Sequence, residues 1–330
     1  MKKRSLAIIA AAVVVLSGCS TAADTESPET TEGATITHAF GETAVPADPQ
    51  RVVTLGWGSA DAALALGVVP IGMETQAYGA NDDGLLPWIA EELDTLGADV
   101  PTMITQTVDE PSYEEIIDLE PDLILAVYSG ITEEQYEILA EIAPTVAYPD
   151  AAWTTPWRDV VSIVGESLNR ADEAATVLDE IDSIVAEQAD AHPELEGHTV
   201  AAIWDVAGTF YVYREADPRV SFLFGLGLEG APAVDELANG ESSFYYTLSY
   251  EQLDALESDI IVNFADTDAD AEAFLAQPYA QAIPAVQSGA VANVTGVSLV
   301  AAVSPPTALS LTWGLEDYVE RLATAAAALD

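Results

Sequence analysis

Few residues in this 330-residue chain are of the types that perform covalent or metal chemistry, and their spacing argues against such chemistry. His38, His192 and His198 are the three histidines; they lack ligand spacing, and none falls at the carboxyl end of an expected strand, so a histidine-type zinc or manganese site is not expected. The single cysteine, Cys19, leaves no thiolate cluster and no internal disulfide, and no Ser stands beside a plausible His base. Gly225-Leu-Gly227-Leu-Glu-Gly230 matches the dinucleotide fingerprint in letters alone. It follows an expected helix and runs into Ala231-Pro232, so it reads as a helix C-cap and a tight turn. The chemistry that remains is recognition: the chain is expected to be no enzyme and to carry no cofactor and no directly bound metal.

Residues 1–18 read as an address. Lys2, Lys3 and Arg4 precede an apolar run from Leu6 to Leu16, which is too short to span a bilayer and has the layout of a secretory signal. The run closes with Leu16-Ser17-Gly18-Cys19, which resembles the bacterial lipobox and so implies cleavage before Cys19 and a lipid on its thiol. Residues 19–34, mostly Ser, Thr, Ala, Glu and Asp with one Pro, are expected to form a flexible tether to the membrane. The leader holds three of the nine Lys and Arg; its removal leaves six arginines against 56 acids, a net charge of −50. A field of that sign excludes nucleic acid and anionic lipid as partners, and says nothing about fold.

About 300 residues beyond the leader suit two lobes better than one core. Short β-branched runs alternate with amphipathic stretches: strands are expected at Val52–Leu55, Val69–Ile71, Asp122–Val127, Thr145–Tyr148, Thr199–Trp204, Phe210–Tyr213, Ile260–Phe264 and Ala290–Val294. The class is therefore α/β with mainly parallel sheets. An internal echo supports two similar lobes: Ser112 to Leu125 aligns with Ser249 to Val262 at an offset of 137, with seven of fourteen positions identical. Ser112 with Glu115, and Ser249 with Gln252, have capping-box spacing, so each copy is expected to open a short helix before a buried strand. Between the copies, Ala171 to Asp190 lacks Gly and Pro, and Ala174, Leu178, Ile181 and Val185 share one face. That predicts a rigid rod of about 30 Å, dividing the chain into lobes at 35–168 and 193–330 with a linking helix at 169–192.

Pro49-Gln50-Arg51-Val52-Val53, Asp61 to Gly67 with Pro70-Ile71-Gly72, Glu120-Pro121-Asp122, Leu168-Asn169-Arg170 and Ser249-Tyr250-Glu251 together resemble the helical-backbone class of periplasmic-type binding proteins that take up iron siderophores and vitamin B12 (class III, chelatase-like). The resemblance covers about Thr35 to Leu329. It implies the extracytoplasmic, lipid-anchored solute-binding component of an ABC importer, a monomer that serves a permease dimer with its cytoplasmic ATPase. It also implies an interlobe cleft at the carboxyl ends of the strands, where open α/β sheets bind ligands in general.

Polar and aromatic residues expected at those ends are Trp57, Tyr128, Ser129 and Trp153 in the first lobe, and Phe210, Tyr213, Arg214 and Tyr245 in the second. Aromatic faces suit the envelope of a metal chelate, and Arg214 would offer a fork of donors to its oxygens. The resemblance further implies that Glu114 and Glu251, one per lobe and equivalent in the echo, dock into permease arginines. The acid excess favours a neutral or cationic ferric hydroxamate over an anionic catecholate. An arginine seen in ferrichrome-type relatives near the first-lobe helix has no counterpart in Thr105 to Pro111. A cobalamin or haem binder of the same fold stays the alternative, and a secreted enzyme the less favoured one.

Overall fold

The structure, a computed structural model, describes residues 32–105, 107 and 110–329. It opens with a hairpin, β1 (Glu32–His38) and β2 (Gly41–Pro46). The hairpin thus takes in residues before Thr35, inside the stretch expected to be tether. Cys19 and the leader lie outside the described residues.

The first lobe is built on five parallel strands: β3 (Val52–Thr54), β4 (Gly72–Glu74), β5 (Thr102–Ile104), β6 (Leu123–Ala126) and β7 (Thr145–Ala147), in the order β5-β4-β3-β6-β7. A parallel sheet needs cover on both faces, and the strand period supplies it. Val52, Leu123 and Leu125 face α1 (Ser59–Ala65), α2 (Pro87–Leu96) and α5 (Trp157–Ser167). Val53, Ile124 and Ala126 face α3 (Tyr113–Asp118) and α4 (Glu133–Ile142). The strand expected at Val69–Ile71 forms slightly later as β4; Pro70 has no N–H to give to a ladder.

The rod α6 (Ala171–Ala191) leads to the second lobe. Its strands are β8 (Thr199–Val206), β9 (Thr209–Tyr213), β10 (Glu229–Gly230), β11 (Tyr245–Leu248), β12 (Ile260–Ala265) and β13 (Val291–Thr295). The order is β11-β9-β8-β12-β13, with β10 also on β8. Here the sheet is mixed: β8, β10, β11, β12 and β13 run one way, while β9 alone runs against them, antiparallel to both of its neighbours β8 and β11. The cause is local. Ala207 and Gly208 both have positive φ, 51° and 78°, which makes a two-residue hairpin that folds β9 straight back on β8. Helices α7 (Pro218–Phe224), α8 (Pro232–Glu236), α9 (Asp268–Leu275), α10 (Pro284–Ser288), α11 (Val297–Val303) and α12 (Ala308–Ala326) complete the lobe.

The echo is real in structure, though not through its caps. Asp122 accepts the N–H groups of Gln50 and Arg51 ahead of β3, at 2.8 and 2.9 Å; its counterpart Asp259 accepts the N–H and hydroxyl of Thr199 at the start of β8, both at 2.8 Å. Each aspartate clamps the neighbouring strand of its own sheet. The expected capping boxes do not form. Ser112 Oγ donates to the Thr105 carbonyl, and Glu115 is taken by the Thr105 N–H and hydroxyl. Ser249 Oγ accepts only from the Glu251 N–H, at 3.4 Å, and the second copy is a 3-10 helix over Tyr250–Ala255.

Two long helices close the space between the lobes. Helix α12 packs on α1, α2 and α5 of the first lobe as well as on α6, β12 and β13. One continuous apolar core therefore runs from Val52 and Leu64 through Ile181 and Val185 to Tyr318 and Leu322.

Candidate ligand-binding site at the seam between the lobes

The carboxyl ends of the two sheets meet at a seam. From the first lobe, the segment after β4 crosses over: the Tyr78 hydroxyl donates to Asp266 Oδ1 at the end of β12, at 2.6 Å, and the Gly79 carbonyl accepts from Ser298 Oγ at 3.0 Å. Trp57, after β3, donates its indole N–H to the Pro305 carbonyl at 3.0 Å. Behind it, Asp61 on α1 accepts from Trp88 Nε1 at 2.6 Å and from the hydroxyl of Thr307, the N-cap of α12. Burial pushes the Asp61 carboxyl up from its ordinary value, and the two donated bonds offset this only in part.

In the middle of the seam is a small pocket, with about 10 Å³ of free space, walled by Trp57, Tyr128, Thr155, Trp157, Pro218 and Pro305. Tyr128 packs edge-on against Trp153, with ring centres 5.6 Å apart. Burial, and then the charge of Asp217, raise the Tyr128 phenol well above its ordinary value, so it stays a neutral donor. Trp153 is 44% exposed at the rim and has φ of 60°, an outlier for a bulky side chain. Its backbone N–H is held by the Ser129 carbonyl at 3.2 Å, and its indole lies so near Gly130 that a Cβ there would collide with it.

The arginine at this seam is Arg219, not Arg214. Along β9 the faces alternate: Tyr211 and Tyr213 point toward α7 and the seam, while Phe210 and Val212 point into the opposite core. Phe210 is accordingly 1% exposed and packs against Tyr250 and Phe274; it is a core residue. Arg214 continues the Phe210 face and pairs with exposed Asp235 at 2.9 Å. Tyr213 lies under the Arg219 guanidinium, 3.9 Å from ring centre. Arg219 Nε bonds Asp217 Oδ1 at 2.7 Å, with the two side chains only 14% and 3% exposed. Burial opposes the charge on Arg219, but Asp217 and Tyr213 outweigh it and hold the guanidinium above its ordinary value.

Tyr245 stands opposite Tyr213 on β11, its ring 5.8 Å from Tyr211, and extends the tyrosine face. Ser129 is near the site but buried, with its hydroxyl donated to the Ala126 carbonyl at 2.8 Å, so it braces the turn. The structure thus gathers Trp57, Tyr128, Trp153 and Tyr213 toward the seam, with Tyr245 beside them, and removes Phe210 and Arg214. It adds Tyr78, Trp204, Arg219 and Asp266, which the strand-end rule missed. Arg219 had one legible signal: it follows Asp217-Pro218 in a helical first turn, where a cation opposes the dipole. A further carboxylate, Glu74, accepts the Gly56 N–H at 2.7 Å, and burial raises it.

Glu114 and Glu251 are both exposed, in the first turns of α3 and of the 3-10 helix. Among the described residues no group of three or more His, Cys, Asp or Glu could hold a metal ion. The histidines bond away from the seam: His38 to Thr43, His192 to Glu194, and His198 lies near Asp259.

Two similar α/β lobes with a rod between them and an aromatic crevice at their strand ends are the architecture of a class III solute-binding protein. The chain belongs to the periplasmic binding protein family, whose model matches residues 52–296. It is 28% identical over 272 residues, 80% of each chain, to the probable siderophore-binding lipoprotein YfiY of Bacillus subtilis. Among solved structures it is similar to PiaA of Streptococcus pneumoniae in complex with ferrichrome, with a TM-score of 0.80 and 33% identity over 90% of this chain and 99% of that one. SirA of Staphylococcus aureus, complexed with staphyloferrin B, shares the fold with a TM-score of 0.71 at 24% identity, over 88% and 98% of the two chains.

Proposed function

We propose that this protein captures a ferric siderophore, a neutral or cationic ferric hydroxamate before an anionic chelate, and delivers it to an ABC permease driven by a cytoplasmic ATPase. The observation that carries the charge preference is the state of Arg219. Its guanidinium is already neutralised by Asp217 at 2.7 Å and capped by Tyr213, so it adds no free positive charge to the seam. Two further groups there, Glu74 and Asp266, are carboxyls. Trp57, Tyr128 and Trp157 line the pocket at the seam, and aromatic faces suit a chelate whose iron is wrapped in organic atoms.

The relatives named for siderophore binding support the ligand class, and the ferrichrome complex of PiaA supports the hydroxamate. In this reading Cys19 carries the lipid that holds the protein on the outer face of the cell membrane. Glu114 and Glu251, exposed and equivalent in the repeat, meet the two permease subunits, a two-fold arrangement of acids against a two-fold arrangement of bases. Calorimetric titration against ferrichrome, a trianionic ferric tricatecholate, haem and cobalamin tests the assignment. Saturable binding of ferrichrome with a much weaker tricatecholate is expected; preference for the tricatecholate, haem or cobalamin would overturn it.

A further inference from the structure

Resting on that reading, the bonds across the seam single out a residue that discriminates by charge. The pocket in the middle of the seam has only about 10 Å³ of free space, far below the ~300–1,000 Å³ of small-molecule sites and less than a ferric chelate with its organic shell fills. The lobes must part to admit one. Parting them breaks the bonds of Trp57 and Ser298 at two neutral carbonyls. Asp61 stays inside the first lobe, 1% exposed and still bonded to Trp88.

Asp266 is different. Its carboxylate ends β12 in the second lobe, and the partner it loses, the Tyr78 hydroxyl, belongs to the first. Trp204 packs against Tyr78 and Phe264, with ring centres 6.0 and 6.3 Å away, and so sets the tyrosine beside that carboxylate when the lobes are together. With the clasp open, a half-buried negative charge faces the gap where the ligand enters. Arg219 does not cancel it, because Asp217 already holds that guanidinium. A charge at the edge of a low-dielectric crevice is screened far less than one on the open surface.

We propose that Asp266 is the specificity-determining residue of the site. Uncovered by release of Tyr78, it repels anionic chelates and is satisfied again only by a hydrogen-bond donor, either Tyr78 or an N–H or O–H group on a neutral or cationic ligand.

The test is the ratio of affinities for ferrichrome and for a trianionic ferric tricatecholate, measured on the intact protein at low salt. Asp266→Asn keeps an acceptor for Tyr78 and removes the charge; the ratio is expected to fall about tenfold or more. Asp266→Ser serves as a second charge-free variant should the first fold poorly, judged by thermal unfolding. Asp179→Asn, which removes an equal charge from the exposed face of α6, should leave the ratio within about twofold. Tyr78→Phe breaks the clasp but keeps the charge, and should not lower the ratio. A ratio unmoved in both Asp266 variants, or lowered as much by Asp179→Asn or Tyr78→Phe, overturns the role of Asp266 while the hydroxamate reading stands. Absence of ferrichrome binding by the wild type overturns that reading, and this inference with it.

Discussion

Arg219 owes its place to Asp217 and Tyr213, and the three stand or fall together. Taking away the guanidinium strands a carboxylate that is 3% exposed, which costs about 3–5 kcal/mol for buried pairs of this kind. Arg219→Ala should therefore lower the denaturant midpoint steeply, and Asp217→Asn added to it should restore most of the loss. Equal loss in the single and double variants would show that the pair is not coupled. Arg214 makes the opposite case: its partner Asp235 is mostly exposed, so Arg214→Ala should change stability by no more than about 1 kcal/mol and leave ligand titration unmoved. At this scale the places of Trp57 and Tyr128 beside the seam were legible because they stand two or three residues past the ends of β3 and β6, whereas Trp153 lies six residues past β7. Phe210 and Arg214 were misplaced because a strand end supplies two faces, and only the pairing of β9 with β8 decides which face meets the first lobe.

At the scale of elements, Asp61 joins α1 to α2 through Trp88 and to the N-cap of α12 through Thr307. Burial raises its pKa, so the neutral acid is the form the fold prefers. The stability it contributes is fully present below the ordinary carboxyl range and is lost as pH rises through the raised value. The wild type should therefore lose stability relative to Asp61→Asn as pH climbs from about 4 toward neutrality, followed by urea unfolding at each pH. A difference that stays flat or reverses contradicts the burial argument. The same scale shows why the echo could be read but its caps could not. Asp122 and Asp259 keep the same duty in both copies, whereas Glu115 is drawn away by Thr105, a contact between segments ten residues apart. The antiparallel pair β8–β9 hid in an Ala-Gly turn, outside the Asn-Gly and Asp-Gly code that marks such hairpins.

For the whole molecule, the rod expected over 169–192 is matched by α6 over 171–191, but it is not the sole connection. Helix α12 lies across both lobes, and a shared core under it ties them. Such a seam favours small rocking about α6 and α12 over wide hinge closure. This leaves the outer faces of the lobes, with Glu114 and Glu251, at nearly fixed separation for a permease to grip. The Glu114→Ala/Glu251→Ala double variant should bind ferrichrome as the wild type does and lose uptake of labelled iron into cells; retained uptake would remove the docking role.

The central claim, that the aromatic crevice between the lobes is where the chelate sits, is tested most directly by the emission of Trp57 during titration with ferrichrome. Wild-type fluorescence should fall saturably to an end point at one equivalent of ligand, and Trp57→Phe should show a clearly smaller fall. Emission that stays constant through the titration, while calorimetry still registers binding, would place the ligand elsewhere and contradict the account.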